Sequence, residues 1–195
     1  MTCLVGMLVD VDDGTEIYIG ADRLISTPTS GAILKGSKIF TVGDMIIGYS
    51  GSLRYAQILD HGFTPPEFKA DDTVERYLVN SFFPDLLVTL TEHQCLLKEN
   101  ELAGYEGVFL LGIRGRLFKI QSDFSFLEYQ DTFCASGAGE DFALGSLATT
   151  DQFDLDPALK ISLAIEASTK YSHFVGGEPD IKKLFFKNGE VEERE

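Results

Sequence analysis

The strongest constraint on the fold sits at the start of the chain. Positions 2–9 (Thr2, Cys3, Leu4, Val5, Gly6, Met7, Leu8 and Val9) are apolar or small at odd and even positions alike. Successive strand residues face opposite sides of a sheet, so such a run has to be covered on both faces. Asp12, Asp13 and Gly14 supply a turn signal, and positions 16–21 return as a second strand, which predicts a hairpin opening the chain.

Further on, positions 45–49 read as a buried strand that ends in Ser50, Gly51 and Ser52, where a helix through Leu53, Ala56, Gln57 and Leu59 can begin. Asp72 with Glu75 three residues later is a capping-box pattern for a second helix. Its apolar residues Val74, Tyr77, Leu78, Phe82, Leu86 and Leu90 recur at helical steps, and Pro84 is expected to kink or divide it. Positions 108–113 and 116–121 form a hairpin about Arg114 and Gly115, and positions 133–136 follow as a strand. A small-residue helix over 140–149 comes next. A last helix is capped by Asp156 with Pro157 at its first position, and positions 181–186 close the chain as a strand. Strands and helices in clusters, rather than in strict alternation, indicate an α+β protein with antiparallel sheets and helices outside. No repeat or linker divides positions 1–195, so one domain is expected, with a charged end at 190–195.

Composition narrows the function classes. The chain carries 31 acidic and 16 basic side chains, a formal net charge of -15, which repels phosphate backbones and anionic lipid. Neither nucleic acid nor a membrane is expected as a partner. The apolar start is too short, and lacks the basic flank, for a signal peptide or a span. The 3 cysteines (Cys3, Cys95 and Cys134) are far apart, without a CxxC pair, which suits a reducing compartment and a cytoplasmic protein. His61, His93 and His173 are isolated, so no metal and no cofactor is expected.

Three features carry possible chemistry. Thr2 follows Met1, and removal of Met1 leaves a free α-amine beside the Thr2 hydroxyl. Such an amine, with an ordinary pKa of about 7.7–8.0, can act as a base at neutral pH. Thr is equally an ordinary second residue. Asp22, at a strand end, can hold in place the cation of Lys38, sixteen positions on, and a Lys near the nucleophile would lower the pKa of its hydroxyl and amine, although an Asp at a strand end is more often a turn residue. The turns at Ser50, Gly51 and Ser52 and at Ser136, Gly137, Ala138 and Gly139 each join a strand to a helix. They can present backbone N–H groups to an oxyanion or simply reverse the chain. No GxxxxGK[ST] accompanies the second turn, which argues against nucleotide binding.

Taken in order, these pieces resemble the proteasome β-subunit and HslV peptidase family. The residues that carry the resemblance are Thr2 to Gly6; Ile19, Gly20, Ala21, Asp22 and Arg23; Lys38, Ile39 and Phe40; and Ile47 to Ser52. Gly115 to Phe118, the run from Ala135 to Gly145, and Gly176 with Gly177 complete the set. The likeness is greatest to the small proteasome-like subunits of bacteria and phages and extends over positions 2–186. Each motif is short; their collinearity makes the set specific.

The resemblance implies a four-layer αββα sandwich, the N-terminal-nucleophile hydrolase fold, and a homo-oligomeric ring with the threonines facing an internal chamber. It implies a polypeptide substrate and a separate ATP-dependent unfoldase as a partner. Thr2 would be nucleophile and, through its amine, base; Asp22 would orient Lys38, and Lys38 would tune Thr2. The Gly51 N–H would form the oxyanion hole, and Ser136 would hydrogen-bond near the amine. Two departures stand out. Many relatives carry Asp and Ser just before the late Gly-Gly where this chain has Ser172 and Val175, and Arg23 replaces a small residue. The alternatives are a ring subunit without catalysis and an amidase acting on a small substrate.

Overall fold

The computed structural model of the chain describes residues 2–26, 29–99 and 102–187; Met1 and the charged end at 190–195 fall outside them. Strand β1 (Cys3–Val11) turns through Asp12 and Asp13 into β2 (Gly14–Ala21). Two short strands, β3 (Leu24–Ser26) and β4 (Gly31–Ile33), precede the hairpin of β5 (Ile39–Val42) and β6 (Met45–Gly51). Helix α1 (Leu53–His61) follows, then α2 (Val74–Tyr77), a π-turn at Leu78–Phe82, and α3 (Phe83–Glu92). After the small hairpin of β7 (Leu97–Glu99) and β8 (Leu102–Gly104) come β9 (Gly107–Ile113), β10 (Arg116–Ile120), β11 (Phe126–Glu128) and β12 (Phe133–Gly137). Helices α4 (Glu140–Thr150) and α5 (Pro157–Tyr171) lead to β13 (Asp180–Lys187).

The two main sheets run β12-β1-β2-β13 and β11-β10-β9-β6-β5, antiparallel throughout. Side-chain alternation along β1 explains how they stack. Cys3, Val5 and Met7 pack with Ala143, Leu147, Ile161 and Ile165 of α4 and α5. Leu4 and Leu8 pack instead with Ile17, Ile19, Ile46, Leu110 and Leu117 between the two sheets. A third core, with Ile47, Phe109, Leu111, Tyr77, Phe82 and Leu86, lies between the second sheet and α1 to α3. Three cores separated by two sheets make four layers, helix–sheet–sheet–helix, as the doubly apolar first strand requires.

Local signals held with two adjustments. Asp156 caps α5, its carboxylate accepting from Leu159 N at 3.2 Å. At the second helix the N-cap is Thr73, not Asp72: the Thr73 hydroxyl accepts from Arg76 N at 3.3 Å. Pro84 divides that helix through the π-turn. Proline has no N–H for the carbonyl four residues back, and its ring clashes there, so the chain widens by one residue before α3 resumes. In α1 the buried face is Tyr55, Ile58 and Leu59. Of the residues through which this helix was expected to run, Leu59 is buried, and Leu53 and Ala56 line a cavity described below.

Candidate active site

Thr2 precedes β1 by one residue, and alternation puts it on the same side as Leu4, at the mouth between the sheets. It is 3% exposed. Its carbonyl packs against β12, where Gly137 stands opposite Cys3. Gly137 has φ +92°, and a Cβ there would lie 2.2 Å from the Thr2 oxygen, so only glycine permits this approach.

Asp22 follows β2 and is fully buried. Its carboxylate gathers three separate segments. Oδ1 accepts from Cys3 N at 3.0 Å and from Lys38 Nζ at 2.7 Å. Oδ2 accepts from Leu24 N at 3.1 Å and from Gly176 N at 3.1 Å. The β3–β4 hairpin carries the chain back so that Lys38, sixteen residues later, meets Asp22. Lys38 also donates to the Leu24 carbonyl at 2.8 Å, and its own carbonyl accepts from Tyr49 N at 3.0 Å. Burial pushes the Lys38 ammonium below the ordinary lysine range, while the charge and hydrogen bond of Asp22 act in the opposite direction.

A cavity of about 40 Å³ joins these groups. Thr2, Lys38 and Gly51 line it, with Leu24, Ile25, Ser37, Tyr49, Leu53 and Ala56 as the remaining wall. Gly51 closes β6 with φ +145° opposite Gly107, where a Cβ would lie 2.5 Å from the Glu106 oxygen. Four of the five expected residues, Thr2, Asp22, Lys38 and Gly51, are thus brought together. Ser136 is 2% exposed and pairs with Leu4, one step further along β1, and it does not line the cavity.

The two departures have structural consequences. Val175 is buried in the core that contains Cys3, and Ser172 ends α5, its hydroxyl accepting from Phe174 N at 3.3 Å. Arg23 does not line the cavity and pairs with Asp180 at 3.4 Å, so its size does not obstruct Thr2. Several contributing groups left no mark in the sequence. Ser168, fully buried, accepts from the Cys3 thiol at 3.3 Å and lies 2.9 Å from the Gly139 carbonyl. Lys119, between the sheets, donates to Glu140 at 2.7 Å. Burial pushes the Cys3 thiol up to about 11 and the Cys134 thiol up to about 12, so neither is a competing nucleophile at neutral pH. No cluster of three His, Cys, Asp or Glu side chains suited to a metal occurs among the described residues, and none of their helices is long and apolar enough to cross a membrane.

No protein-family model and no curated protein matches the sequence. Solved structures do match. Thiobacillus denitrificans BPH in complex with epoxomicin superposes with a TM-score of 0.78 at 22% identity, over 95% of this chain and 100% of that one. A second structure of Thiobacillus denitrificans BPH gives 0.78 at 23% identity, over 96% and 100%. Eukaryotic HslV from Trypanosoma brucei gives 0.65 at 17% identity, over 94% and 99%. The fold is of the proteasome/HslV type. In this HslV-type fold the cavity beside Thr2 opens at the end of the sandwich where β1 begins and β6 ends.

Proposed function

We propose that the chain is an N-terminal threonine peptidase, a subunit of a proteasome-like ring that hydrolyses peptide bonds once Met1 is removed. The observation that carries this reading is the convergence of Thr2, Lys38 and Gly51 on one cavity, with Lys38 fastened to a fully buried Asp22. Thr2 Oγ1 attacks the scissile carbonyl, and its proton passes to the free α-amine. The Gly51 N–H holds the oxyanion, and the protonated amine then gives its proton to the leaving amine. Water, activated by the same amine, releases the acyl group and restores Thr2. The Lys38 cation favours the neutral amine and the threonine alkoxide, and Asp22 keeps the ammonium in place. Ser136, one strand step beyond the cavity, takes no part in this scheme. A separate ATP-dependent unfoldase would deliver the polypeptide.

A second reading, a ring subunit without catalysis, draws on Val175 and Ser172, which offer the amine neither a carboxylate nor an unengaged hydroxyl. Intact mass spectrometry before and after a peptide epoxyketone separates the two. Loss of Met1 and a single adduct, absent in Thr2→Ala, is the expected result. A processed chain that takes no adduct from any epoxyketone would establish the non-catalytic subunit instead.

A further inference from the structure

An α-amine that serves as base has to keep its lone pair toward the Thr2 hydroxyl, and its N–H groups then need acceptors. Most polar groups around Thr2 are donors or are already engaged. The Asp22 carboxylate accepts from Cys3 N, Lys38, Leu24 N and Gly176 N. Lys38 and the Gly51 N–H can only donate. The Ser37 hydroxyl accepts from Ile39 N at 2.9 Å, and the Tyr49 hydroxyl donates to the Glu106 carbonyl at 2.5 Å. The Thr2 carbonyl accepts from Gly139 N at 3.4 Å. Late in the chain, Val175 is apolar and the Ser172 hydroxyl accepts from Phe174 N.

The Ser50 hydroxyl has no such tie. Ser50 lies on β6 between Tyr49, which packs toward the first three helices, and Gly51. Alternation turns Ser50 the other way, to the side of Ile46 and Gly48. A Cβ on Gly48 would lie 3.4 Å from the Leu4 side chain, so this face of β6 looks onto the face of β1 that carries Leu4 and Thr2. Gly137 fixes the spot more closely. A Cβ there would lie 2.2 Å from the Thr2 carbonyl oxygen, 3.0 Å from the Thr2 carbonyl carbon and 2.9 Å from Ser50 Oγ. The Ser50 hydroxyl therefore borders the Thr2 backbone, whose nitrogen and carbonyl carbon share one Cα. Ser50 is 9% exposed, and its hydroxyl makes no hydrogen bond among the described residues.

Resting on the threonine-peptidase reading, we propose that Ser50 is the positioning residue of the free α-amine: its Oγ accepts one amine N–H and holds the nitrogen lone pair toward Thr2 Oγ1. The resemblance implied a role of this kind for Ser136. Ser136 shares the inter-sheet side with Cys134, but it stands beside Leu4, one step further in, whereas Ser50 meets Thr2 from the opposite sheet.

The test follows by intact mass spectrometry how fast the chain without Met1 takes an adduct from a peptide epoxyketone, across concentration and pH. The rate rises with pH as the amine gives up its proton. An ammonium N–H is a stronger donor than an amine N–H, so Ser50 favours the protonated form, and Ser50→Ala should carry that rise to lower pH. The maximal rate should fall by about 10-fold or more, the effect of losing a hydrogen bond to a charged group. The half-saturating concentration should stay unchanged, because Ser50 does not line the cavity. Ser50→Thr, which keeps a hydroxyl, should restore both rate and pH profile, and Ser136→Ala should alter neither. A Ser50→Ala chain with the parent's rate and profile would overturn the inference. So would a slowed chain whose pH rise has not moved, or the same signature in Ser136→Ala instead. An unaltered, processed chain that takes no adduct from any epoxyketone removes the hydrolase reading and this inference with it. A labelled parent with an unresponsive Ser50→Ala removes this inference alone.

Discussion

Asp22 accepts hydrogen bonds from the N–H groups of Cys3, Leu24 and Gly176 and from the Lys38 ammonium, and it does so without exposure to solvent. An amide at this position would turn its NH₂ donors toward donors and leave the buried ammonium unpaired. Breaking one side of a buried ion pair typically costs about 3–5 kcal/mol, and Asp22→Asn is expected to lose stability of that order in urea melts. The pH dependence has a definite sign. Lys38 already titrates below its ordinary range because of burial, and removing Asp22 removes the opposing influence. The unfolded chain then binds a proton that the folded chain does not, so stability rises with pH between the folded value and that of a free lysine. Asp22→Asn should therefore recover part of its deficit as melts are moved from neutral pH toward the ordinary lysine range, over a wider interval than the unaltered protein. A deficit that grew with pH would contradict this account of the pair.

The helix that starts at residue 74 is the element whose sequence signals most need the coordinates to arbitrate. Asp72 and Glu75 have capping-box spacing, yet the hydroxyl that reaches an open N–H is that of Thr73, on Arg76 N. Loss of a true N-cap costs about 1 kcal/mol, and loss of a neighbouring residue with no capping bond costs little. Thr73→Ala is thus expected to lower the unfolding free energy by about 1 kcal/mol, with Asp72→Ala within about 0.5 kcal/mol of the parent, both read from denaturant midpoints. Further along, Pro84 marks the change from π-turn to α3 without disturbing the inward face: Tyr77, Leu78, Phe82, Leu86 and Leu90 all remain buried. The extra residue of the π-turn keeps Leu86 and Leu90 in phase with Tyr77 and Leu78, so the break in hydrogen bonding is absorbed without loss of packing.

On the scale of the whole molecule, both helix layers leave large apolar side chains in solvent. Phe142, Leu159 and Tyr171 are exposed on the layer of α4 and α5, and Val79 and Val88 on the other side. Among them Phe142 and Tyr171 stand with ring centroids 5.8 Å apart, an exposed aromatic pair that a second copy of the chain would cover. The ring proposed above is an arrangement that would cover it. Size-exclusion chromatography with light scattering should give a mass several times 21.5 kDa. A monomer at working concentration would contradict the ring and leave a free-standing Thr2 hydrolase to be tested on its own.

What the sequence determined by itself was whatever repeats locally. The double-sided apolarity of β1, the turn at Asp12 and Asp13, the helical spacing from Val74 to Leu90 and the cap at Asp156 each follow from neighbours in the chain, and they suffice for an α+β protein with antiparallel sheets and helices outside. The collinear motifs named Thr2, Asp22, Lys38, Gly51 and Ser136 as a set, and the first four meet at the cavity. Three-residue strands such as β3, β4 and β11 are too short to establish an alternation, and they surfaced only in the structure. The tertiary structure alone decided how the site closes. Gly176 reaches Asp22 across 154 positions, Ser168 reaches Cys3 across 165, and Tyr49 is pinned by Glu106 across 57. Contacts of that span carry no local period, because they depend on which strands become neighbours and on the register they adopt. That same register stands Gly137 opposite Cys3 and brings Ser136 alongside Leu4, one step beyond the cavity where chemistry is proposed.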